Sequence, residues 1–148
     1  MDILWTLGLT LLVADAGTPA TELPPPEFYR QALSVPVPTA TAEDTARWLE
    51  RKEVVLLDLR SPAAFARGHL KGAINLPLTD LTEQTLHKLV PNSDQRIVLY
   101  CDDQLVPTRR VALTTLGAPT ARALGYAHVF RLEDLWLRQD AGVLPLVR

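Results

Sequence analysis

One cysteine stands at the carboxyl end of an apolar run. Cys101 is the only cysteine among the 148 residues, and it directly follows the run Arg96-Ile97-Val98-Leu99-Tyr100. Such a run predicts a buried strand, and α/β folds place chemistry where strands leave the sheet. A cysteine thiolate is a nucleophile, whereas a buried free thiol packs as a small apolar group. Position alone leaves both interpretations of Cys101 open.

Length, charge and composition exclude several classes of function. A chain of 148 residues is long enough for one domain with a real core. The net charge of −2 offers no basic patch for nucleic acid. A single cysteine forms no internal disulfide and no cysteine-cluster zinc site, and His69, His87 and His128 are dispersed. We therefore expect no metal, no cofactor and no nucleic-acid partner.

The amino-terminal residues differ in composition from the rest. Residues 1–16 are mostly apolar and end in Ala14-Asp15-Ala16, which fits the small-x-small pattern of signal-peptide cleavage. The apolar run is too short for a transmembrane helix, but no basic residue precedes it. It is predicted to be a signal peptide, with a packed helix or a membrane anchor as alternatives. A signal peptide implies a periplasmic or secreted protein without a stable membrane span after processing; otherwise the protein is cytoplasmic.

Residues 17–36 are rich in proline and predict a linker, and residues 37–148 form the predicted domain. Within the domain, short apolar runs alternate with segments that carry helix caps. Strands are predicted at 54–57, 73–76, 97–100 and 127–130. Helices are predicted from Ala42 to about Arg51, from Pro62 to Arg67, and from a cap at Thr79 or Asp80 to about Val90. Further helices are predicted over 108–116, with a break at Gly117-Ala118-Pro119, from Pro119 to Gly125, and over 133–139.

The alternation of strands and helices predicts an α/β fold with a parallel sheet and helices on both faces. Asp58 and Cys101 each come directly after a predicted strand. Because the carboxyl ends of parallel strands meet at one edge, we expect these two residues to lie at the same edge of the sheet.

Two stretches carry a family resemblance. The first is Val55-Leu-Leu-Asp-Leu-Arg-Ser-Pro62, followed by Gly68-His-Leu-Lys-Gly-Ala-Ile-Asn-Leu-Pro77. The second is the strand ending in Cys101, followed by Leu124-Gly-Tyr-Ala-His-Val129. Over roughly residues 37–145 the chain resembles rhodanese-like domains. The resemblance implies a three-layer α/β fold with a central parallel sheet of about five strands.

Rhodaneses are sulfurtransferases, so the resemblance implies a chemistry for Cys101. Its thiolate would take sulfane sulfur from a small anion such as thiosulfate, become a persulfide, and pass the sulfur to a thiol or cyanide. Inward-pointing backbone N–H groups followed by a helix amino terminus would favour the anion. Asp58, Arg60 and His69 would support the site structurally.

The loop after Cys101 departs from the family pattern. The family loop has glycine at its fourth position and arginine at its sixth, where this chain has Gln104 and Val106. The chain resembles a subgroup with an expanded loop. The charges of Asp102 and Asp103 would raise the thiol pKa and repel an anionic donor, unless arginines offset them. Candidate substrate-contacting residues are Asp102, Asp103, Gln104, Arg109 and Arg110.

Two other functions remain as alternatives. The altered loop favours a catalytically weak or inactive rhodanese-like module that binds a protein or a small anionic ligand. A related cysteine phosphatase fits poorly, because its loop needs arginine at the sixth position after the cysteine, where this chain has Pro107.

The signal-peptide hypothesis predicts a specific mature end. When the full chain is exported from a bacterial host, amino-terminal sequencing of the processed protein should begin at Gly17. Ala16→Arg removes the small residue that cleavage needs and should block processing. An uncleaved chain in the soluble fraction would instead support a packed helix, and one in the membrane fraction an anchor.

Overall fold

Five parallel strands form the central sheet in the computed structural model, which describes residues 30, 34, 36–108, 112–138 and 142–148. The strands are β1 (Thr39–Ala40), β2 (Val54–Asp58), β4 (Ala73–Asn75), β5 (Arg96–Tyr100) and β6 (Val129–Leu132), in the spatial order β1-β6-β5-β2-β4. β3 (His69–Leu70) and β7 (Leu146–Val147) form a separate antiparallel pair. The predicted signal peptide and most of the predicted linker lie outside the described residues.

Helices cover both faces of the sheet. They are α1 (Ala42–Glu50), α2 (Pro62–Arg67), α3 (Glu83–Leu89), α4 (Asp102–Leu105) and α5 (Leu113–Ala123), with 3₁₀ turns at Leu78–Asp80 and Leu135–Leu137. Side chains of the strands alternate between two apolar clusters. In β5, Ile97 and Leu99 face a cluster that includes α3 and α5, and Val98 and Tyr100 face one that includes α1. The predicted three-layer α/β fold is thereby confirmed.

The helices α1 and α2 begin where their capping residues predict. Thr41 Oγ1 accepts a hydrogen bond from the backbone N–H of Asp44 at 3.0 Å, and Ser61 Oγ accepts one from that of Ala64 at 3.2 Å. Pro62 occupies the first turn of α2, where its missing N–H costs nothing. Local sequence is therefore sufficient to place both helix starts.

The predicted cap of α3 is wrong. Thr79 and Asp80 belong to a separate 3₁₀ turn, and the cap is Thr82. Thr82 Oγ1 accepts a bond from the N–H of Thr85, whose own Oγ1 accepts from the N–H of Thr82. This reciprocal bonding satisfies two amide groups that the helix leaves free, so it outcompetes a start at the earlier residues.

The predicted break at Gly117-Ala118-Pro119 is also wrong, because α5 continues through it. Ala118 is completely buried against the sheet, and a Cβ atom at Gly117 would lie 2.5 Å from Cδ1 of Leu59. Glycine thus lets the helix approach the sheet closely. Packing of this kind overrides the weak local propensity for a break.

The end of the chain is less helical than predicted. The last strand of the sheet is Val129–Leu132 rather than 127–130, and the closing helix is reduced to the 3₁₀ turn Leu135–Leu137. Trp136 is 42% exposed, while Trp48 is half-buried against Phe130. Within the described ranges, no helix is both long and apolar enough to span a membrane.

The close approach of α5 predicts the effect of a larger side chain. Gly117→Val places a branched side chain where Leu59 already lies, and should lower the free energy of unfolding by about 1–3 kcal/mol. Urea denaturation measures this. Thr115→Val, at an exposed position of the same helix, should change it by about 0.5 kcal/mol or less. Equal stability of the two variants would contradict the packing described.

Candidate functional site

Cys101 lies at the carboxyl edge of the central sheet. It follows β5, which pairs with β2 on one side and β6 on the other. Tyr100 and Asp58 are register partners, so the ends of β5 and β2 meet at one edge as predicted. Cys101 is 2% exposed and forms the amino-terminal cap position of α4. The thiol is thus enclosed at the edge where α/β folds carry their sites.

Backbone amides from two segments face the sulfur of Cys101. The N–H groups of Asp103, Leu113 and Thr114 hydrogen-bond to it, the first from α4 and the other two from the start of α5. Among the described residues from 101 to 114, none has a positive φ. The short helix α4 therefore presents an amide without the glycine that a tight family loop uses. Such amides favour an anion at this position.

Burial dominates the titration of Cys101. Removal from water raises the pKa of its thiol above the ordinary value, and the Asp103 carboxylate adds to the rise. The three amides lower the pKa but do not cancel the effect of burial. At neutral pH the thiol is therefore protonated for most of the time, and an anionic molecule approaching the amides meets no thiolate charge.

Gln104 occupies the position where the family has glycine. Its side chain is completely buried, and Oε1 accepts a hydrogen bond from the backbone N–H of Cys101 at 2.9 Å. Its backbone N–H in turn reaches the carbonyl of Cys101 at 3.3 Å. The glutamine thus holds the start of the loop by a side-chain bond rather than by glycine geometry.

The two acidic residues of the loop are both engaged by other groups. Asp102 Oδ1 lies 3.4 Å from Nη1 of Arg60. Asp103 Oδ1 accepts a hydrogen bond from Thr108, and its backbone carbonyl accepts one from Nε1 of Trp136 at 2.9 Å. Asp103 raises the thiol pKa as expected, whereas Asp102 lies beside Arg60 and is not among the groups that shift the thiol pKa.

A buried ion pair lies beside the loop. Asp58 is completely buried, and its carboxylate receives three side-chain hydrogen bonds from Arg60 and one from the Arg60 backbone N–H. Arg60 Nη2 also donates to the carbonyl of Gly68 at 2.7 Å. The Tyr100 hydroxyl accepts a hydrogen bond from the N–H of Leu70. Burial is the main reason that the pKa of Tyr100 is raised, and the hydrogen bond to Asp58 raises it further. The network joins β2, β5, β3 and the Cys101 loop.

The side chain of His69 contacts Phe65, four residues earlier in the chain, while its backbone belongs to β3 and pairs with Val147 of β7. Its ring stacks on Phe65 with centroids 3.7 Å apart, and Nδ1 lies 3.1 Å from the Phe65 carbonyl.

No group of three or more His, Cys, Asp or Glu side chains is placed to hold a metal in the part of the chain that the structure describes. Arg109 and Arg110, predicted to contact an anion, lie outside the described residues.

Sequence reasoning missed Thr114. Its backbone N–H faces the Cys101 sulfur, and its side chain is 1% exposed. The sequence predicts a helix from residue 108, which would place Thr114 in the middle of a helix. The true start of α5 at Leu113 instead puts Thr114 in the first turn, where amides are free to bind. A small hydroxyl residue beside a helix start was the available signal.

Two cavities border α4 without including Cys101. A polar-edged cavity of about 340 Å³ lies between the loop and α2. A mainly apolar cavity of about 460 Å³ lies on the side of the 3₁₀ turn at 135–137. Leu105 and Leu146 line both. The first is lined by Arg60, Ala64, Arg67, Gly68, Asp102, Leu105, Val106 and Leu146.

Comparison with known proteins agrees with this geometry. Residues 41–136 match the model of the Rhodanese-like domain. The chain is 34% identical over 110 residues to a tRNA 2-selenouridine synthase of Bordetella petrii, covering 66% of this chain and 29% of that protein. It is 36% identical over 116 residues to the HTH-type transcriptional regulator Rv0324 of Mycobacterium tuberculosis, covering 77% and 46%. The chain thus spans less than half of each relative.

Solved structures give the same fold. A thiosulfate sulfurtransferase of Pseudomonas aeruginosa superposes with a TM-score of 0.57 at 33% identity, covering 66% of this chain and 17% of that one. A human single-domain sulfurtransferase, TSTD1, superposes with a TM-score of 0.54, covering 71% and 99%. At 20% identity, the human protein supports the fold alone.

The raised thiol pKa predicts the pH dependence of alkylation. The rate at which neutral iodoacetamide alkylates Cys101 should rise with pH, because only the thiolate reacts. The pH at which this rate is half-maximal should be higher for the folded chain than for the same chain unfolded in urea, where a free cysteine has a pKa of about 8.5. Mass spectrometry of timed samples measures both curves. A folded midpoint at or below the unfolded one would show that the amides outweigh burial.

Proposed function

This chain belongs to the rhodanese-like domain family, and from that premise we propose that it moves sulfane sulfur from a small anionic donor to a thiol or cyanide through a persulfide on Cys101. Sulfur transfer in general is the activity that its sulfurtransferase-like neighbours support. The donor, the acceptor and the persulfide on Cys101 belong to our proposal.

One observation carries the proposal. The only cysteine of the chain lies at the carboxyl edge of the sheet with three backbone N–H groups facing its sulfur. A sulfur that served only in packing would need no such donors, since a thiol is a weak hydrogen-bonding group. Donors fixed in a site that excludes water stabilise charge without reorganising. The arrangement therefore suits an anionic sulfur.

The transfer can be written with thiosulfate as the donor. The Cys101 thiol first loses its proton to solvent. The thiolate then attacks the outer sulfur of thiosulfate, a new S–S bond forms, the old S–S bond breaks, and sulfite leaves with the bonding electron pair. Cys101 now carries a persulfide anion. An acceptor thiolate or cyanide attacks the terminal sulfur, and the Cys101 thiolate is regenerated as the leaving group.

The rest of the loop has supporting roles in the proposal. The bond of Gln104 to the Cys101 N–H and the pairing of Arg60 with Asp102 hold the loop at the sulfur. Arg109 and Arg110 follow this loop in sequence, and we propose them as cationic contacts for the donor. Asp102 and Asp103 act on the charge around the site rather than on the donor directly.

The selenouridine synthases among the relatives make selenium an arm of the test. As their name says, these enzymes make 2-selenouridine in tRNA, and this chain covers only a fraction of their length. We therefore pair thiosulfate with selenosulfate, which carries selenium in the transferable position, so that the experiment reports which element Cys101 accepts.

The proposal predicts a covalent adduct on one residue. After incubation with thiosulfate and removal of the donor, the intact mass of the wild-type chain should rise by one sulfur atom. Added cyanide should return the mass to that of the free chain and release thiocyanate. Cys101→Ser, which keeps the size of the side chain but removes the nucleophile, should show neither change.

Failure of the adduct would change the conclusion. No gain of sulfur or selenium with thiosulfate, selenosulfate or a low-molecular-weight persulfide would contradict sulfur transfer by this chain. The alternative of an inactive module that binds a small anion would then be favoured. Calorimetry that detects thiosulfate binding to Cys101→Ser would support this alternative directly.

A further inference from the structure

Two buried polar groups beside Cys101 have no hydrogen-bond partner among the described residues. They are Nε2 of Gln104 and Oγ1 of Thr114, on side chains that are 0% and 1% exposed. A buried donor left without a partner has lost its hydrogen bonds to water and gained none in the protein, which is destabilising. Most buried polar groups in folded proteins are satisfied, so two orphans in one place call for a physical reason.

Both orphaned groups belong to residues that already contact Cys101. The Oε1 atom of Gln104, which belongs to the same amide group as Nε2, accepts a hydrogen bond from the backbone N–H of Cys101. Thr114 hydrogen-bonds to its sulfur through the backbone N–H. One residue lies on α4 and the other in the first turn of α5, an eleven-residue helix. Cys101 is therefore contacted from two elements, each with an unpaired side-chain group.

The chemistry of these groups indicates what they would bind. The glutamine Nε2 only donates hydrogen bonds, and a threonine hydroxyl can donate one. The surrounding N–H groups are also donors, and the amino terminus of α5 adds partial positive charge. A buried site in which N–H and O–H donors converge fits a small anion.

We propose that Gln104 Nε2 and Thr114 Oγ1 donate hydrogen bonds to the anionic sulfur at Cys101. This sulfur is the outer atom of the donor before transfer and the terminal atom of the persulfide afterwards. The inference rests on the proposed function, and it assigns the donors that replace the glycine-containing loop of the family. The orphaned groups gain their partner when the extra sulfur arrives.

Thr114→Val is the sharpest test. Valine keeps the shape of threonine and the backbone N–H but removes the hydroxyl, and the unpaired hydroxyl contributes no bond in the free protein. The thiosulfate concentration for half-maximal persulfide formation should rise about tenfold, because the variant loses one hydrogen bond to a charged group. The rate of Cys101 alkylation by neutral iodoacetamide should fall much less, because that reagent carries no anionic sulfur for the hydroxyl to bind. Thr114→Ser should restore thiosulfate use.

Thr45→Val is the matched control. Thr45 is equally buried, but its hydroxyl donates to the Thr41 carbonyl at 2.8 Å, far from the Cys101 loop in sequence. This variant should lose stability without a change in the thiosulfate dependence of persulfide formation.

Gln104→Glu is a second test of the side-chain donors, because it keeps an oxygen for the Cys101 N–H and replaces the Nε2 donor with a negative charge. Its persulfide should form at still higher thiosulfate concentrations.

The outcomes separate the two proposals. If wild type forms the persulfide and Thr114→Val and Gln104→Glu form it with unchanged thiosulfate dependence, the side-chain donors are wrong while sulfur transfer stands. If Thr114→Val slows alkylation as much as it weakens thiosulfate use, Thr114 only shapes the site and the inference is overturned. If wild type forms no persulfide, both proposals fall together.

Discussion

The buried ion pair of Asp58 and Arg60 is the interaction on which the rest of the site depends. Arg60 donates to the Asp58 carboxylate, to the Gly68 carbonyl and towards Asp102. These partners belong to the end of β2, the end of α2 and the Cys101 loop. Burying two paired charges adds little net stability to the fold, but removal of either one would be destabilising, because it leaves an unpaired buried charge. The pair therefore acts mainly by fixing how three segments meet.

The loop after Cys101 is held by side chains rather than by unusual backbone geometry. Gln104 holds its first residue, Arg60 its second, and Thr108 and Trp136 its third. Each bond comes from a different element or a different turn of chain. This explains how a loop without glycine can still present an amide to the sulfur: a single turn of helix does so, and long side chains keep that turn in place.

The burial of Cys101 has two opposite consequences for its chemistry. Burial raises the thiol pKa and so lowers the fraction of reactive thiolate. The same low dielectric strengthens each hydrogen bond to an anion that forms there. In the free protein burial outweighs the amides, so the thiol of Cys101 is poorly activated at rest.

The sequence by itself determined the central strands, the starts of α1 and α2, and the edge that Asp58 and Cys101 share. Those features follow from apolar runs, local caps and the geometry of parallel strands, which act over a few neighbouring residues. Only the tertiary structure decided that α5 passes through Gly117 and Pro119, that Trp136 is exposed, and that Gln104 and Thr114 meet at Cys101. Their causes are contacts between residues distant in the chain, such as Gly117 against Leu59, and no local pattern encodes which distant surface a helix will pack against.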